Sequence, residues 1–206
     1  AMVQKKIFFN ITEDWFFVSH FLSRALSAQK DGFEIYVCCN ETNKRKIIEN
    51  YGINFIRLPY KRPNINPLYE FYILIRLILI VIKEKPDIIH NVALKPIIQG
   101  SIASRFLNSN SVVNAPVGMG YVFTSGSIKA RLLKPILIFL LRIFLNSNKG
   151  NKNKSKVIFE NSDDLNFFKK LKAVDSNNAC IISGAGVEID KTFSNRKIKN
   201  KIPKVV

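Results

Sequence analysis

Short apolar runs alternate with longer segments of helical spacing along most of the chain. The apolar runs predict seven β-strands, at Lys5–Ile11, Phe33–Cys39, Ile53–Leu58, Asp87–Asn91, Ser111–Ala115, Lys156–Glu160 and Asn178–Ile182. The pattern also predicts a helix that ends near Lys30, and further helices at Thr42–Tyr51, Leu68–Ile82, Ile97–Leu107, Ile128–Leu145 and Leu165–Lys172. Strands that alternate with crossover helices build a parallel sheet. The pattern therefore predicts an α/β fold with a doubly wound parallel sheet.

Polar and glycine residues follow the central predicted strands. Ligands of doubly wound sheets bind at the carboxyl ends of the strands. Those ends carry His90, Asn91, Lys95, Gly118 and Gly120. Lys95 precedes a proline and is expected in a loop, where its ammonium group can pair with a diphosphate. The two glycines permit close backbone approach or serve as ordinary turn residues, and His90 is equally compatible with core packing.

Two polar segments are expected to begin helices. Thr12–Asp14 is predicted to be a loop in which Thr12 or Asp14 caps the first helix. Asn161–Asp164 is predicted to cap the last helix, with its two aspartates in the first turn, where the helix dipole favours negative charge.

Leu68–Ile82 is the most apolar stretch of the chain. A membrane-spanning helix needs about 20 predominantly apolar residues. This stretch is shorter, and Glu70 and Arg76 interrupt it. A buried crossover helix is therefore favoured over a membrane-inserted one.

Ile128–Leu145 is apolar, but all its charges are basic. They are Lys129, Arg131, Lys134 and Arg142. Pro135 is expected to kink or restart the helix, and a basic run, Asn146–Lys156, follows as a predicted flexible loop. This combination is typical of a helix that lies at an anionic membrane surface. A core helix followed by a solvated loop fits the same pattern, and both interpretations remain open.

The chain carries a formal net charge of +17, and no acidic residue occurs between Asp87 and Glu160. A surface of one sign favours an anionic partner such as nucleic acid, anionic lipid or a phosphorylated ligand. The sequence has no helix-turn-helix, ribonucleoprotein motif or zinc spacing, so nucleic acid is the least favoured of the three. The three cysteines have no metal-ligand spacing. We therefore expect a reduced, cytoplasmic protein with no bound metal.

Several motifs in order resemble those of a known family. They are TEDWFFVSHF after the first strand, PDIIHNVALKP with QGSIASR, then NAPVGMGYVF, VIFENSDD and ISGAGVEID. Together they cover Lys5 to about Phe193. The chain resembles the N-terminal domain of a GT-B glycosyltransferase of the family 4 type. The branch it is most similar to contains bacterial enzymes that extend lipid-linked saccharides for O-antigen, capsule or protein glycosylation.

The resemblance implies a two-domain enzyme. Residues 1–195 would form a Rossmann-like acceptor-binding domain, and residues 196–206 a linker and the start of a C-terminal nucleotide-sugar domain. The implied reaction moves a hexose from a nucleotide sugar, with a UDP-sugar as the expected donor, to a polyprenyl-diphosphate-linked saccharide, with retention of configuration and without a cofactor. The implied location is peripheral, at the cytoplasmic face of the plasma membrane, with the basic helix as the contact. This chain alone is expected to be inactive.

The resemblance and the strand-end positions together nominate site residues. Asp14, His20 and Glu160 are the catalytic candidates, and Glu13, Lys95, Gly118, Gly120, Tyr121 and Asn161 the acceptor-binding candidates. Capping is the structural alternative for Glu13 and Asp14, and packing is the alternative for His20 and Tyr121. Lys129, Arg131, Lys134 and Arg142 are the membrane-binding candidates.

Two other function classes remain open. A sugar-nucleotide epimerase shares the two-domain architecture, although the acid-free central span offers few groups for proton abstraction. A non-enzymatic membrane-binding module would use the same basic, apolar helix.

Overall fold

The computed structural model describes residues 4–62, 66–107, 111–118, 122–123, 125–145 and 154–183. Its strands are β1 (Lys6–Glu13), β2 (Glu34–Asn40), β3 (Asn54–Arg57), β4 (Ile88–Val92), β5 (Ser111–Ala115), β6 (Lys154–Phe159) and β7 (Ala179–Ile181). Its helices are α1 (Asp14–His20), α2 (Leu22–Lys30), α3 (Arg45–Asn50), α4 (Pro67–Glu84), α5 (Leu94–Ser104), α6 (Ile128–Leu145) and α7 (Ser162–Lys170).

The seven strands form one sheet in the order β3-β2-β1-β4-β5-β6-β7, and every neighbouring pair is parallel. From β1 the sheet extends through β2 to β3 on one side, and from β4 it extends through β5 and β6 to β7 on the other. The sheet is therefore doubly wound and Rossmann-like, as the sequence predicts.

Helices cover both faces of the sheet, and neighbouring residues of β1 show why. Phe8 packs with Ile73 and Leu77 of α4, whereas Phe9 packs with Phe17 and Phe21 of α1 and the turn after it. Successive side chains of a strand point to opposite faces, so a buried parallel strand is apolar at consecutive positions. Burial of each phenylalanine is worth about 1.5–3 kcal/mol.

A row of buried amides crosses the middle of the sheet on the α5 side. Asn10, Asn91 and Asn114 stand in register on β1, β4 and β5. Asn10 donates to Asn91 at 2.9 Å, and Asn91 donates to Asn114 at 3.0 Å. The hydroxyl of Tyr60 donates to Asn10 at 2.9 Å. These groups satisfy one another, which avoids the cost of burying unpaired polar atoms.

The beginning of the first helix differs from the sequence prediction. Thr12 and Glu13 belong to β1 rather than to a loop, and Glu13 occupies the N-cap position with no side-chain cap. Capping of this helix by Thr12 or Asp14 was therefore the wrong prediction. The helix predicted to end near Lys30 is divided at Phe21, whose backbone (φ −122°, ψ −13°) leaves the helical region and whose ring is buried.

The predicted position of Lys95 in a loop is also wrong. Helix α5 begins at Leu94, so Lys95 and Pro96 lie in its first turn. Proline is accepted there because the first helical N–H groups have no intrahelical acceptor. The proline therefore marks the inside of the helix start rather than the residue before it.

Three later elements refine the prediction. Helix α4 is a crossover helix, but only one side is buried, with Ile73, Leu77 and Val81 as its buried residues. Helix α6 is continuous through Pro135 rather than restarted there. Strand β6 begins at Lys154, so the end of the predicted loop is strand. Residues 184–206, including the glycines after the last strand, lie outside the described part of the chain.

Candidate functional site

The reversal of strand order places a crevice between the carboxyl ends of β1 and β4. These two strands are neighbours, and the sheet grows away from them on both sides. Connections leave the two strands toward opposite faces, so the sheet edge is open between them, and this is where doubly wound proteins bind ligands. The residues that follow β1 and β4 therefore line the candidate site.

Asp14, the first residue of α1, is fully buried beside this edge. Its carboxylate accepts hydrogen bonds from the backbone N–H groups of Thr42, Asn43 and Lys44 at 2.8–3.1 Å and from the Thr42 hydroxyl. Burial acts to raise the pKa of Asp14, but the hydrogen bonds from Thr42 and Lys44 outweigh it and hold the pKa below its usual value. Asp14 thus secures the turn between β2 and α3. A catalytic role for it stays a prediction.

Glu13, Trp15 and Arg62 form a cluster at the edge of the crevice. The indole N–H of Trp15 donates to Oε2 of Glu13, and the guanidinium of Arg62 lies 3.8 Å from the same oxygen. The guanidinium carbon of Arg62 is 5.9 Å from the Trp15 ring centroid. Trp15 is 39% exposed. Glu13 is therefore at the predicted edge, with a tryptophan and an arginine that the sequence analysis did not nominate.

The segment that presents Arg62 is firmly held. Tyr60 is buried and donates to Asn10, and the hydroxyl of Tyr69 donates to the carbonyl oxygen of Pro59. The ammonium group of Lys95 donates to the carbonyl oxygen of Lys61 at 2.7 Å. Elements on both sides of the crevice thus fix the residues just before Arg62.

Lys95 also pairs with an acid on α4. Its ammonium nitrogen is 2.8 Å from Oε1 of Glu70, and the side-chain amide of Gln99 donates to the other oxygen of Glu70 at 2.8 Å. Lys95 lies at the carboxyl end of β4, as expected, but it is tied into an ion pair rather than extended freely into solvent. Its role toward a diphosphate stays a prediction.

The residue before this helix has unusual backbone geometry. Ala93, the N-cap of α5, has φ +77° and ψ 160° and no side-chain cap. This region of backbone space is essentially restricted to glycine and costs other residues about 1–3 kcal/mol. The N–H of Ala93 donates to the carbonyl oxygen of Ala115 at 3.0 Å, which links the ends of β4 and β5.

The two histidines have different surroundings. His20 ends α1, with its Nδ1 2.6 Å from the hydroxyl of Ser19 and its ring 4.4 Å from that of Phe16. His90 lies between the rings of Phe9 and Phe21, at centroid distances of 5.1 and 5.6 Å. Burial, with a smaller effect from nearby Arg24, lowers the pKa of His90 to about 4. His90 is therefore a neutral packing residue.

Glu160 and Asn161 follow β6, away from the crevice between β1 and β4. Two strands, β4 and β5, separate β6 from β1, so three strand spacings, roughly 14 Å, lie between the ends of β1 and β6. Asn161 caps α7 as predicted, because its side-chain oxygen accepts from the N–H of Asp164 at 2.8 Å. The fold does not bring Glu160 together with Asp14 and His20 in the single domain.

The glycine-rich turn after β5 is described in part. Gly118 has φ +72°, a left-handed backbone that favours glycine. Gly120 and Tyr121, two of the acceptor-binding candidates, lie outside the described residues.

Helices α4 and α6 expose an apolar stripe each, on the same side of the sheet. Both helices pack against α5. The exposed residues recur at helical spacing: Leu68, Phe71, Tyr72, Ile75, Leu79 and Ile82 on α4, and Ile128, Leu132, Ile136, Phe139 and Ile143 on α6. We call these two stripes the outer apolar face.

The four basic residues predicted to bind membrane are all exposed on α6. On a helical wheel Lys129 lies on one side of the α6 stripe, and Arg131 and Arg142 lie on the other. Arg142 donates to the carbonyl oxygen of Leu171 at 2.7 Å, and Lys134 lies 5.8 Å from the ring centroid of Phe123. Lys129, Arg131 and Arg142 thus form a basic rim along the apolar stripe. Lys134 lies on the opposite side of the helix, so its predicted place in a membrane-facing surface was wrong.

Among the helices described, none is both long and apolar enough to cross a bilayer. In the same part of the chain, no three His, Cys, Asp or Glu side chains are grouped so that they could hold a metal ion.

Part of the cluster of Glu13, Trp15 and Arg62 is predictable from the sequence, and the rest is not. Trp15 is the chain's one tryptophan and directly follows a strand end, which was a usable signal. Arg62 comes from a proline-rich loop whose path no periodicity predicts. Its approach to Glu13 depends on the tertiary contacts of Tyr60 and Lys95.

Solved structures share this fold at low sequence identity. A glycosyltransferase from Rickettsia africae matches with a TM-score of 0.57 and 13% identity over 87% of this chain and 43% of that one. An Anabaena protein, HepE, crystallised with UDP and glucose, matches with a TM-score of 0.57 and 15% identity. The match covers 88% of this chain and 44% of that one. The UDP-GlcNAc 2-epimerase of Methanocaldococcus jannaschii matches with a TM-score of 0.56 and 11% identity. The match covers 87% of this chain and 45% of that one.

These similarities show the fold alone, because both a transferase and an epimerase share it. The chain spans less than half the length of the three proteins. No curated protein matches the chain. The sequence model of the glycosyl transferase 4-like family, however, matches residues 6–149, which is well over half of the chain. The chain therefore belongs to the glycosyl transferase 4-like family, and its fold is that of an N-terminal GT-B domain.

Proposed function

We propose that this chain is the acceptor-binding domain of a glycosyltransferase that works at a membrane surface. The enzyme moves a sugar from a nucleotide-sugar donor to a saccharide linked to polyprenyl diphosphate, in the synthesis of cell-surface polysaccharide or glycan. The observation that carries the transferase assignment is the family match over residues 6–149. A second domain supplies most of the donor site, as the limited coverage of the neighbouring structures favours.

The acceptor binds in the crevice between β1 and β4. Glu13 accepts hydrogen bonds from sugar hydroxyls, and the positive charge of Lys95 attracts the diphosphate. Gly118, Gly120 and Tyr121 after β5 extend the acceptor surface along the same edge of the sheet, and Asn161 after β6 contributes at its far end, away from the crevice. Positioning and electrostatic stabilisation lower the barrier in such a cleft.

The three catalytic candidates lie at different distances from the crevice and have different roles in the proposed reaction. His20 is partly exposed at the end of α1, the helix that begins at the end of β1. Glu160 faces the second domain from the end of β6. Asp14 contributes by fixing the turn before α3 and thereby the start of α1. The configuration of the transferred sugar is retained, as the family resemblance implies.

The outer apolar face attaches the protein to the cytoplasmic side of the plasma membrane. Six residues on α4 and five on α6 are exposed apolar side chains on one side of the domain. Soluble monomers rarely expose apolar patches of more than a few hundred Å². A basic rim on the same face suits anionic headgroups. Attachment there holds the crevice near a lipid-linked acceptor, whose diphosphate lies at the membrane surface.

The direct test uses the protein expressed from its complete gene. It is incubated with labelled UDP-sugars and short polyprenyl-diphosphate saccharides, and label is followed into the lipid phase. Transfer with at least one pair supports the proposal. Lys95→Ala is then expected to raise the acceptor KM about tenfold while leaving the donor KM unchanged. No transfer with any pair, alongside firm vesicle binding, contradicts the proposal and favours a membrane-binding module.

A sugar-nucleotide epimerase is the second candidate, because the Methanocaldococcus jannaschii enzyme shares the fold equally well. The same incubations separate the two. Interconversion of the labelled UDP-sugar in the aqueous phase, without label in the lipid phase, identifies an epimerase.

A further inference from the structure

The cluster of Trp15, Glu13 and Arg62 has a composition that suits a carbohydrate. An indole ring offers a flat apolar face, and the carboxylate and the guanidinium offer an acceptor and several donors beside it. Sugar rings have the matching features, because their C–H groups form an apolar face and their hydroxyls form a polar rim. Binding sites for small polar ligands combine an aromatic surface with a few placed polar groups in this way.

The cluster is accessible and held in place. Trp15 is 39% exposed, and the Arg62 side chain is 53% exposed. The hydrogen bond from the indole N–H to Glu13 fixes the plane of the ring. The carbonyl oxygen of Trp15 accepts from the Ser19 hydroxyl at 2.9 Å. A large aromatic ring that is fixed and still exposed loses little conformational entropy when it binds a ligand.

The two residues before Arg62 are held by contacts with other elements. Lys95 on α5 binds the carbonyl oxygen of Lys61, and Tyr60 binds the buried amide of Asn10. The ammonium group of Lys61 lies 4.7 Å from the ring centroid of Tyr69. These contacts come from β1, α5 and α4, so three elements of the domain hold the two residues before Arg62. The Arg62 side chain reaches from this fixed backbone to Glu13 and Trp15.

From this juxtaposition we infer that Trp15, Glu13 and Arg62 form a subsite for a sugar ring. The indole face of Trp15 stacks on the sugar, and Arg62 and Glu13 bind its hydroxyls. The inference rests on the proposed function in one respect: the sugar belongs to the saccharide acceptor, because the subsite lies in the acceptor crevice between β1 and β4. Arg62 moves off the indole or shares it when the sugar binds.

The test measures binding separately from transfer. Trp15 is the one tryptophan in the 206 residues, so the emission difference between wild type and Trp15→Phe isolates its fluorescence. The complete protein is titrated with N,N′-diacetylchitobiose, maltose, cellobiose and lactose, and separately with UDP. At least one disaccharide is expected to change the Trp15 emission, and Trp15→Ala is expected to weaken that binding, measured by calorimetry, about tenfold or more.

Arg62→Ala guards against a folding defect, since this side chain is half exposed and its loss leaves the core intact. It is expected to weaken the same disaccharide about threefold to tenfold. Tyr51→Ala is the matched control and is expected to keep wild-type affinity. Tyr51 is an aromatic residue directly after α3 and is 48% exposed. Thermal unfolding of each variant confirms that the fold is retained.

The remaining outcomes overturn the inference. A response of Trp15 to UDP but to none of the disaccharides makes the cluster a nucleotide subsite. Absence of any disaccharide response makes it a structural contact. If the enzyme transfers no sugar but a disaccharide binds at Trp15, the proposed function fails and the inference stands. If transfer occurs and Trp15→Ala keeps the acceptor KM, the inference fails and the proposed function stands.

Discussion

A Cβ atom placed on Gly100 of α5 would lie 1.7 Å from Oδ1 of Asn91 on β4. The same atom would lie 2.8 Å from the side-chain nitrogen of Asn10. Glycine at this position therefore lets α5 approach the buried amides of the sheet. Since α5 also carries Lys95, the close approach sets the position of one side of the crevice.

Gly100→Ala is expected to destabilise the protein by about 1–3 kcal/mol, the usual range for overpacking a core. The added methyl group must push apart either α5 and β4 or the hydrogen-bonded amides, and neither can move freely. Urea unfolding measures the change. Gly126→Ala, where a Cβ meets nothing within 4 Å, is the control and should change stability by less than about 0.5 kcal/mol. Equal stability of Gly100→Ala and wild type would contradict the packing described.

Asp14→Ala is expected to cost about 1–3 kcal/mol at neutral pH, because it leaves three buried or partly buried N–H groups without their acceptor. The pKa of Asp14 is lower in the folded state than the ordinary value of about 3.9. The stabilisation is therefore complete above that value and is lost as the pH falls through the folded pKa.

The measurement is the difference in unfolding free energy between wild type and Asp14→Ala across the acid range. It should stay constant from about pH 7 to pH 5 and shrink below about pH 4. Asp14→Asn places an NH₂ group against the same N–H donors, so it should also destabilise the protein. Because an amide does not titrate, the stability of this variant should lack the acid-dependent loss that Asp14 causes in the wild type. A difference that grows in acid would contradict the assignment.

His90 should make stability fall between mildly acidic and acidic pH. Its ordinary pKa of about 6.5 applies to the unfolded chain, and burial lowers the folded pKa to about 4. The unfolded state therefore binds more protons between these values, so the unfolding free energy decreases as the pH falls from about 6.5 to about 4. The decrease is at most about 3.5 kcal/mol, at about 1.4 kcal/mol for each pKa unit. His90→Leu should remove this slope, and urea midpoints at several pH values measure it. If the unfolding free energy of His90→Leu keeps the same dependence on pH, groups other than His90 cause it.

Ala93→Gly is expected to stabilise the protein by about 1 kcal/mol. Release of the strained backbone at φ +77° gains about 1–3 kcal/mol, and the greater freedom of glycine in the unfolded chain offsets about 0.4–1 kcal/mol of it. Ala103→Gly, in the last turn of the same helix and buried in the core, is the opposite control and should cost about 1 kcal/mol or more, because it loses both helix propensity and a buried methyl group. Both are measured by thermal unfolding. Destabilisation by Ala93→Gly would show that the alanine methyl group makes packing contacts that outweigh the strain.

The sheet and the order of its helices could be predicted from the sequence because buried parallel strands are short and apolar and are separated by helix-length segments. The register that aligns Asn10 with Asn91 could not, since polar residues inside a buried strand give no pairing signal of their own. The start of α5 was misplaced because a proline in the first helical turn looks the same in sequence as a proline before the helix.

The positions of the candidate residues were more predictable than their partners. The rule that ligands bind at strand carboxyl ends nominated Glu13 and Lys95, and the structure places both beside the ends of β1 and β4. The same rule also nominated Asp14, whose carboxylate turns away from the crevice to bind residues 28 to 30 positions later. Such long-range partners depend on the tertiary fold. The exposure of α4 was missed for a related reason, because an apolar helix has the same composition whether one side or all of it is buried.

The outer apolar face makes a prediction about membrane binding that a matched substitution can isolate. Ile136→Glu places a charge in the α6 stripe, where the isoleucine is 57% exposed. Burial of an isoleucine in lipid is worth about 1.5–3 kcal/mol, so the variant should bind vesicles about tenfold or more weakly. Sedimentation with vesicles of phosphatidylglycerol and phosphatidylcholine measures the binding. Because apolar contacts are insensitive to screening, part of the wild-type binding should persist at high salt.

Ile47→Glu is the control for that substitution. Ile47 is a surface isoleucine, 39% exposed, on α3, which covers the opposite face of the sheet. The charge change and the loss of exposed apolar area are the same in kind, so a general effect of charge on binding would appear in both variants. Loss of vesicle binding in Ile136→Glu alone places the contact on the outer apolar face. Equal loss of vesicle binding in both variants, or no loss in either, would contradict the prediction. The basic charge alone would then attract the protein to the vesicles, and the two apolar stripes would face another protein surface instead.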